Sequence, residues 1–177
     1  LMILDEIENC RNGLPSGIWL KCNSLVDHRL IGLLYEASQA GVPIEIMARG
    51  ICCLRPGVAG LSETITVRSI IGRFLEHGRI YVFANGGEFL SDKNMVMISS
   101  ADLMPRNLRR RVECFMRLEN PTIRKQVLHQ IMVALLRDEK NAWYLKSDGS
   151  YVHPQTDETS FSCHEYFMSN PSLSGLG

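Results

Sequence analysis

A short apolar strand, an amphipathic helix and a second apolar strand follow one another closely, and this succession constrains the fold more than any other feature. Residues 17–22 (GIWLKC) and 44–48 (IEIMA) are the two predicted strands. Between them, Asp27 predicts a capped helix start and Gly41 predicts the helix end. A connection of this length places two strands in parallel, with a right-handed crossover. The sequence therefore predicts an α/β domain, in which ligands bind beyond the carboxyl ends of the parallel strands.

The remaining patterns complete a mixed β-sheet flanked by helices. Further strands are predicted at residues 64–70, 79–83, 95–99 and 110–118, and in a small hairpin at 142–146 and 151–153. A short helical turn is predicted at residues 71–76, and an amphipathic helix is predicted from Pro121 to about Leu136.

The chain divides into three segments in this interpretation. Residues 1–12 are predicted to be the end of a preceding helix or linker, so the chain is expected to begin part-way through a longer protein. Residues 13–154 form the main domain, and residues 155–177 form a polar, weakly structured tail. No apolar run approaches the roughly 18 residues of a membrane span, and the N-terminus lacks a signal-peptide pattern. These features predict a soluble, cytoplasmic protein, with association with a membrane left open.

The six cysteines are scattered without CxxC spacing and predict free thiols instead of disulfides or a zinc site. Cys52 and Cys53 are adjacent, but neighbouring side chains of an extended segment point in opposite directions and bind one ion poorly.

Positive charge is concentrated in the middle of the chain. Residues 49–111 contain ten Lys and Arg against five Asp and Glu, whereas the whole chain has a net charge of zero. Arginine also outnumbers lysine by 14 to 5, and guanidinium groups bind phosphate with two parallel hydrogen bonds. The middle of the chain is therefore predicted to bind an anion.

Four stretches, in their order and spacing, resemble the last domain of bacterial polyphosphate kinases. They are NSLVDHRLIGLLYEASQAGV (23–42), MARGICCLRPGVAGLSE (47–63), RSIIGRFLEHGRIYVFANGG (68–87) and ISSADLMPRNLRRRVE (98–113). The resemblance covers residues from about Gly13 to Gly149. It implies a phospholipase-D-like fold, the second of two related domains in the C-terminal half of those enzymes, and it identifies residues 13–154 as their C-terminal catalytic domain.

The resemblance also implies an activity, which is the reversible transfer of the ATP γ-phosphate to polyphosphate through a phosphohistidine, with Mg²⁺. ATP or ADP, inorganic polyphosphate, the upstream domains and a second copy of the chain in a homodimer or higher oligomer are the implied partners, and nucleic acid is not among them. In the family the phosphorylated histidine lies in an H-x-K motif of the preceding domain, and the magnesium ligands also lie upstream of this chain. No H-x-K occurs in this chain, so the chain alone is not expected to autophosphorylate efficiently.

His77 is the candidate catalytic residue. Together with Arg79 it forms a degenerate H-x-K pair at the start of a strand, and residues two apart on a strand lie on the same side. An imidazole titrates near neutral pH and can act as a cationic phosphate ligand or as an acid. By resemblance, His77 matches a histidine that contacts the nucleotide's phosphates and assists transfer. The alternative interpretation is a histidine that only hydrogen-bonds its neighbours.

Two further arginines are candidate phosphate ligands. Arg49 ends a predicted strand, is followed by Gly50, which permits close approach of the backbone, and matches the ATP-contacting arginine of the family. Arg55 lies in the next loop and could reach the same anion or remain solvated.

The loop at residues 99–107 offers hydroxyl, carboxylate, guanidinium and amide groups directly after a buried strand. In phospholipase-D-like domains the corresponding loop carries polar groups beside the histidine. Arg106 and Arg111 are accordingly assigned to phosphate binding, and Ser100, Asp102 and Asn107 to positioning. Helix capping or turn formation is the alternative for Asp102 and Asn107.

Two other functions compete with this hypothesis. A phospholipase-D-like phosphodiesterase would share the fold and use a histidine nucleophile, but it requires intact H-x-K-x4-D motifs, which the chain lacks. A non-catalytic domain that binds anions or mediates oligomerisation is the second alternative, and binding of ATP without turnover would support it.

Overall fold

One eight-stranded mixed β-sheet runs through residues 2–170, the part of the chain that the computed structural model describes. Its strands are β1 (Ile18–Cys22), β2 (Ile44–Ala48), β3 (Ile65–Ile70), β4 (Ile80–Phe83), β5 (Met95–Ser99), β6 (Phe115–Arg117), β7 (Ala142–Leu145) and β8 (Tyr151–Val152). Their order in the sheet is β6-β5-β4-β1-β2-β3-β7-β8. The predicted mixed sheet is thereby confirmed.

The three central strands β1, β2 and β3 are parallel, and all other neighbouring pairs are antiparallel. In the register, Ile18 lies opposite Ile44, which in turn lies opposite Ile65. The predicted β-α-β unit is confirmed, because β1 and β2 pair in parallel across an intervening helix.

The helices are α1 (Met2–Arg11), α2 (His28–Gln39), α3 (Pro105–Arg110), α4 (Pro121–Lys125), α5 (Val133–Leu136) and α6 (Cys163–Ser169). A π-helical segment, Gln126–Met132, joins α4 to α5, so the predicted amphipathic helix from Pro121 to Leu136 is confirmed. Asp27 caps α2 as predicted, because its carboxylate accepts the N–H groups of Arg29 and Leu30.

Alternating strand residues divide the core between the two faces of the sheet. Ile18 and Leu20 of β1 face the side that α1 and α2 cover, where Leu34 is fully buried. Trp19 lies on the opposite side, with the helical segment from Pro121 to Leu136 and with α6. This division follows from the two-residue period of a strand and requires both faces to be apolar.

The sequence prediction at residues 71–76 was wrong. These residues form an irregular loop between β3 and β4 without helical hydrogen bonds. Most of them are exposed, including Leu75, so no apolar face is available to stabilise an isolated helical turn.

The strand predicted at residues 110–118 was also wrong over much of its length. Pro105 begins the short helix α3, and only Phe115–Arg117 pairs as a strand. Proline at the first helical position favours the helix start. Within residues 2–170, the strand β6 lies at the edge of the sheet and pairs with β5 over three residues.

The tail that was predicted to be weakly structured contains a folded helix. Within residues 155–177, α6 begins after Ser162, whose side chain accepts the N–H of Glu165, and it buries Cys163 and His164. The sequence suggested a tail because the segment is short and mostly polar, but Cys163, Tyr166 and Phe167 pack in one apolar cluster that docks α6. Residues 171–177 of that prediction lie outside the described residues.

The N-terminal helix α1 is present as expected, and it packs on the core through Ile3 and Ile7. All six cysteines are free thiols. Across residues 2–170, none of the helices combines the length and the apolar character that crossing a membrane requires.

Candidate functional site

Polar residues from four segments meet at one edge of the sheet. The carboxyl ends of β1, β2 and β3 lie at this edge because the three strands are parallel. The strand β5 also ends there, since two antiparallel steps through β4 return it to the direction of β1. The residues that follow these strands, and the loop that precedes β4, are therefore brought together, as expected for ligand sites of α/β sheets.

Asp102, which follows β5, organises the centre of this edge. One carboxylate oxygen accepts the backbone N–H groups of Asn23 at 2.8 Å and Ser24 at 3.1 Å. The other accepts Nη2 of Arg79 at 2.8 Å. The side chains of Asp102 and Arg79 are largely buried, so the ion pair is shielded from water.

The imidazole of His77 lies on the exposed side of Arg79. Nη2 of Arg79 is 3.2 Å from Nε2 of His77, and Nη1 donates to the carbonyl of His77 at 3.3 Å. A guanidinium group has no acceptor, so in this contact Nε2 is the acceptor and the proton of a neutral ring is on Nδ1. His77 and Arg79 therefore lie in contact, although both are in the loop before β4, which begins at Ile80, and not on a strand as predicted.

The electrostatics of the Asp102–Arg79 pair hold both groups in their charged forms. Burial alone would raise the pKa of Asp102, but the hydrogen bonds from Arg79, Ser24 and Asn23 together lower that pKa below its usual value. The hydrogen bond to Asp102 raises the pKa of Arg79. Nε of Arg79 is buried and has no hydrogen-bond partner among the described residues.

Asn23 links this ion pair to Arg49. Its side-chain oxygen accepts Nε of Arg49 at 2.8 Å and also accepts Nη2 of the same guanidinium. Gly50 approaches Asn23 closely, because its N–H donates to the Asn23 carbonyl at 2.7 Å and an added Cβ would lie 3.0 Å from that oxygen. The predicted close approach at Gly50 is thus present, and Arg49 is held in a fixed orientation.

A groove of about 300 Å³ opens beside Arg49, lined also by Gly50, Ser69, Ile71, Trp143 and Tyr151. Arg55 does not join the Arg79 cluster. It lies against the turn between β7 and β8, where Nη1 donates to the carbonyl of Ser147 at 3.4 Å, and it lines a second groove. The two grooves share Gly50 and Tyr151, so the groove beside Arg55 is adjacent to the groove beside Arg49.

Ser100 and Asn107 meet at a residue that the sequence analysis did not select. Both donate to the carboxylate of Glu113, each at 2.5 Å. These hydrogen bonds, together with the charges of Arg111 and Arg79, lower the pKa of Glu113. Glu113 therefore connects the predicted positioning residues electrostatically to Arg79.

Arg106 and Arg111 are exposed, at the start and just beyond the end of α3. Neither forms a hydrogen bond or ion pair with another residue in the 2–170 range. Arg109 instead pairs with Asp27 at 2.6 Å, which ties α3 to the start of α2. The predicted phosphate ligands of this loop are thus on the same segment as Asp102, with their side chains exposed.

Two other residues of the site were missed. Asn23 was not selected, although its position directly after a buried strand is the same signal that selected Arg49. Lys21 lies within β1 and donates to the carbonyl of Gly78 at 3.0 Å, beside His77. A charged residue inside an otherwise apolar strand was the signal for it.

The described residues do not fit a magnesium site. Among residues 2–170, no group of three or more His, Cys, Asp or Glu side chains is arranged to hold a metal ion. Both carboxylate oxygens of Asp102 already accept hydrogen bonds from Asn23 and Arg79. The Mg²⁺ that the resemblance implies therefore has no suitable set of ligands here.

The mixed sheet, its flanking helices and the polar cluster at the carboxyl ends of its parallel strands define a mixed α/β domain with a polar site at one sheet edge. The family model "Polyphosphate kinase C-terminal domain 2" matches residues 1–163. The chain belongs to this family, which confirms the resemblance seen in the sequence.

Relatives with known names agree with this assignment. The chain is 54% identical to a polyphosphate kinase of Erythrobacter litoralis over 98% of its length, and 50% identical to one of Synechocystis sp. over 94%. The crystal structure of polyphosphate kinase from Porphyromonas gingivalis matches 96% of the chain with a TM-score of 0.87 and 36% identity. The chain spans 24%, 22% and 25% of these three proteins, respectively.

Proposed function

We propose that this domain supplies phosphate-binding and transfer-assisting groups to an ATP–polyphosphate phosphotransferase. The observation that carries the proposal is the convergence of Arg49, His77 and Arg79 on one sheet edge through Asn23 and Asp102. This convergence occurs in a chain of the polyphosphate kinase family. ATP and inorganic polyphosphate are the proposed substrates.

The role of the arginines is electrostatic. Phosphoryl transfer spreads negative charge over three equatorial oxygens, so catalysis consists mainly of holding the reactants in line and stabilising that charge. Arg79 and Arg49 are oriented in advance by Asp102 and Asn23, so little reorganisation is needed when phosphate binds. The exposed Arg106 and Arg111 are further donors for the phosphate chain.

His77 is proposed to contact the transferred phosphate and to assist the transfer. Its ring is exposed beside Arg79, so incoming phosphate can contact both side chains. The phosphohistidine intermediate itself is proposed to form on the upstream domain, which also provides the Mg²⁺ ligands. A homodimer or higher oligomer is part of the same proposal.

Replacing His77 tests this function. In the full-length enzyme, His77→Gln and His77→Ala are expected to lower the rate of polyphosphate synthesis from ATP by about a hundredfold or more. His28→Gln is the matched control, because His28 is an exposed histidine in the first turn of α2. Circular dichroism checks that the variants fold. Unchanged turnover in correctly folded His77 variants would remove this residue from the reaction and contradict the proposal.

A further inference from the structure

The loop that carries His77 has little backbone support of its own. Residues 71–79 connect β3 to β4 without regular secondary structure. Backbone hydrogen bonds are found at its two ends, where the N–H of Ile71 donates to Asn141 and the carbonyl of Arg79 accepts from Ser99. Of residues 71–78, Glu76 alone is not exposed. The position of His77 must therefore depend on side chains beneath the loop.

Three such side chains form a cluster, named here the Lys21–Glu76–His164 clamp. Nζ of Lys21 in β1 lies 3.4 Å from one carboxylate oxygen of Glu76. Nε2 of His164 in α6 lies 3.3 Å from the other. The side chains of Lys21 and His164 are 4% and 3% exposed, so Glu76 connects two nearly inaccessible nitrogen-bearing groups.

The clamp holds both neighbours of His77. Glu76 precedes His77 directly, and Gly78, which follows it, accepts a hydrogen bond from Lys21 at 3.0 Å. An ammonium group in this apolar setting requires an anionic partner, because desolvation lowers the pKa of Lys21 and the charge of Glu76 opposes that change. Anchoring on both sides leaves the imidazole exposed while restricting its backbone.

His164 contacts the loop at two further positions. An added Cβ on Gly72 would lie 2.6 Å from Nδ1 of His164, and the ring of Phe74 packs edge-on at 5.3 Å between centroids. Neither ring nitrogen of His164 has a well-aligned hydrogen bond with another described residue, so Glu76 is its partner by proximity. The family match ends at residue 163, so His164 lies outside it.

We propose that Lys21, Glu76 and His164 are positioning residues for His77, and that α6 acts as a strap that holds the His77 loop on the sheet. This inference rests on the proposed function, in which His77 assists phosphoryl transfer. None of the three residues needs to contact phosphate. Their effect on the reaction passes through the backbone of residues 76–78.

The test compares His164→Leu with His164→Gln in the full-length enzyme. The amide nitrogen of glutamine can occupy the position of the His164 Nε2 beside the Glu76 carboxylate, whereas leucine offers no polar group there. His164→Leu is expected to increase the amide hydrogen-exchange rates of residues 73–78 by about tenfold. It is also expected to lower kcat by ten- to a hundredfold, roughly, with KM for ATP changed less than about twofold. His164→Gln should restore both the exchange rates of residues 73–78 and kcat. His28→Leu controls for loss of an exposed histidine.

A second variant covers the possibility that His164→Leu disrupts α6 altogether. Glu76→Gln keeps the size of the side chain and removes its charge, and it should loosen the same loop while β1 and β2 stay protected from exchange. Unchanged loop exchange in both His164→Leu and Glu76→Gln would overturn the clamp. If His164→Leu and His164→Gln raised loop exchange and lowered kcat equally, the assigned contact between His164 and Glu76 would be overturned. A loosened loop with unchanged turnover would support the clamp and contradict the proposed role of His77 instead.

Discussion

At the scale of single residues, Asp102 is the point on which the hydrogen bonds of the site converge. Its folded-state pKa is lowered, so its contribution to stability is present above its unfolded pKa of 3.8 and is lost as the pH falls through the lower folded pKa. We therefore expect Asp102→Asn to lower the free energy of unfolding at pH 7 by about 2 kcal/mol. The variant should also show a smaller loss of stability between about pH 5 and pH 2.

Urea denaturation of the chain at a series of pH values measures this effect. Asp92→Asn is the control, because Asp92 is fully exposed and its replacement removes the same charge from the surface. Parallel stability profiles for Asp102→Asn and the unmodified chain, displaced by a constant amount, would show that Asp102 is not the group responsible.

The sequence could predict some residues of the site because their signals are local. Arg49 directly follows the strand β2, and His77 and Arg79 lie two residues apart directly before β4, so their positions next to strand ends could be predicted. Asn23 binds Arg49 and Asp102 through contacts between segments 26 and 79 residues apart, which no local pattern reports. The roles assigned to these residues in catalysis stay predictions.

At the scale of elements, α1 is fixed to the sheet by one buried carboxylate. Glu6 is 1% exposed and accepts the backbone N–H groups of Gly17 at 2.9 Å and Asn85 at 2.6 Å. Burial raises the pKa of Glu6, and these two hydrogen bonds oppose that change. Glu6→Ala is expected to lower the free energy of unfolding by about 2–3 kcal/mol, because two buried donors lose their acceptor.

Chemical denaturation of Glu6→Ala and Glu8→Ala provides the comparison. Glu8 lies on the same helix and is exposed, so its replacement should change stability by less than about 0.5 kcal/mol. An equal effect of the two substitutions would mean that Glu6 does not dock α1.

Elements with strong periodicity were predictable, and those fixed by tertiary contacts were not. The β-α-β unit has two apolar strands around a capped helix, so the secondary structure that its local sequence favours is the one found in the fold. The helix α6 has seven residues, too few to be stable by themselves, and it forms because Cys163 and His164 are buried under the sheet. The loop 71–79 is likewise held by Lys21 and His164, which lie far away in the sequence.

At the scale of the whole molecule, the net charge is zero because a basic middle segment of the chain, residues 49–111, lies between two acidic segments in the sequence. The parallel strands place Arg49 and the loop 71–79 at one edge, whereas acidic residues such as Asp148 and Asp157 lie in other turns. The chain can therefore attract a polyanion to this edge while its overall charge stays near zero. Such attraction should weaken as ionic strength rises.

The last prediction concerns the 177-residue chain studied alone. It has no H-x-K motif, and Arg79 occupies Nε2 of His77, so we expect the chain to bind ATP without forming a phosphohistidine. Equilibrium dialysis should detect binding that weakens with added salt and with Arg49→Ala. After incubation with labelled ATP and Mg²⁺, no acid-labile phosphate should be found on the chain. The full-length enzyme is expected to carry acid-labile phosphate under the same conditions. Acid-labile phosphate on His77 would contradict this division of roles, because the transfer histidine would then lie within the domain itself.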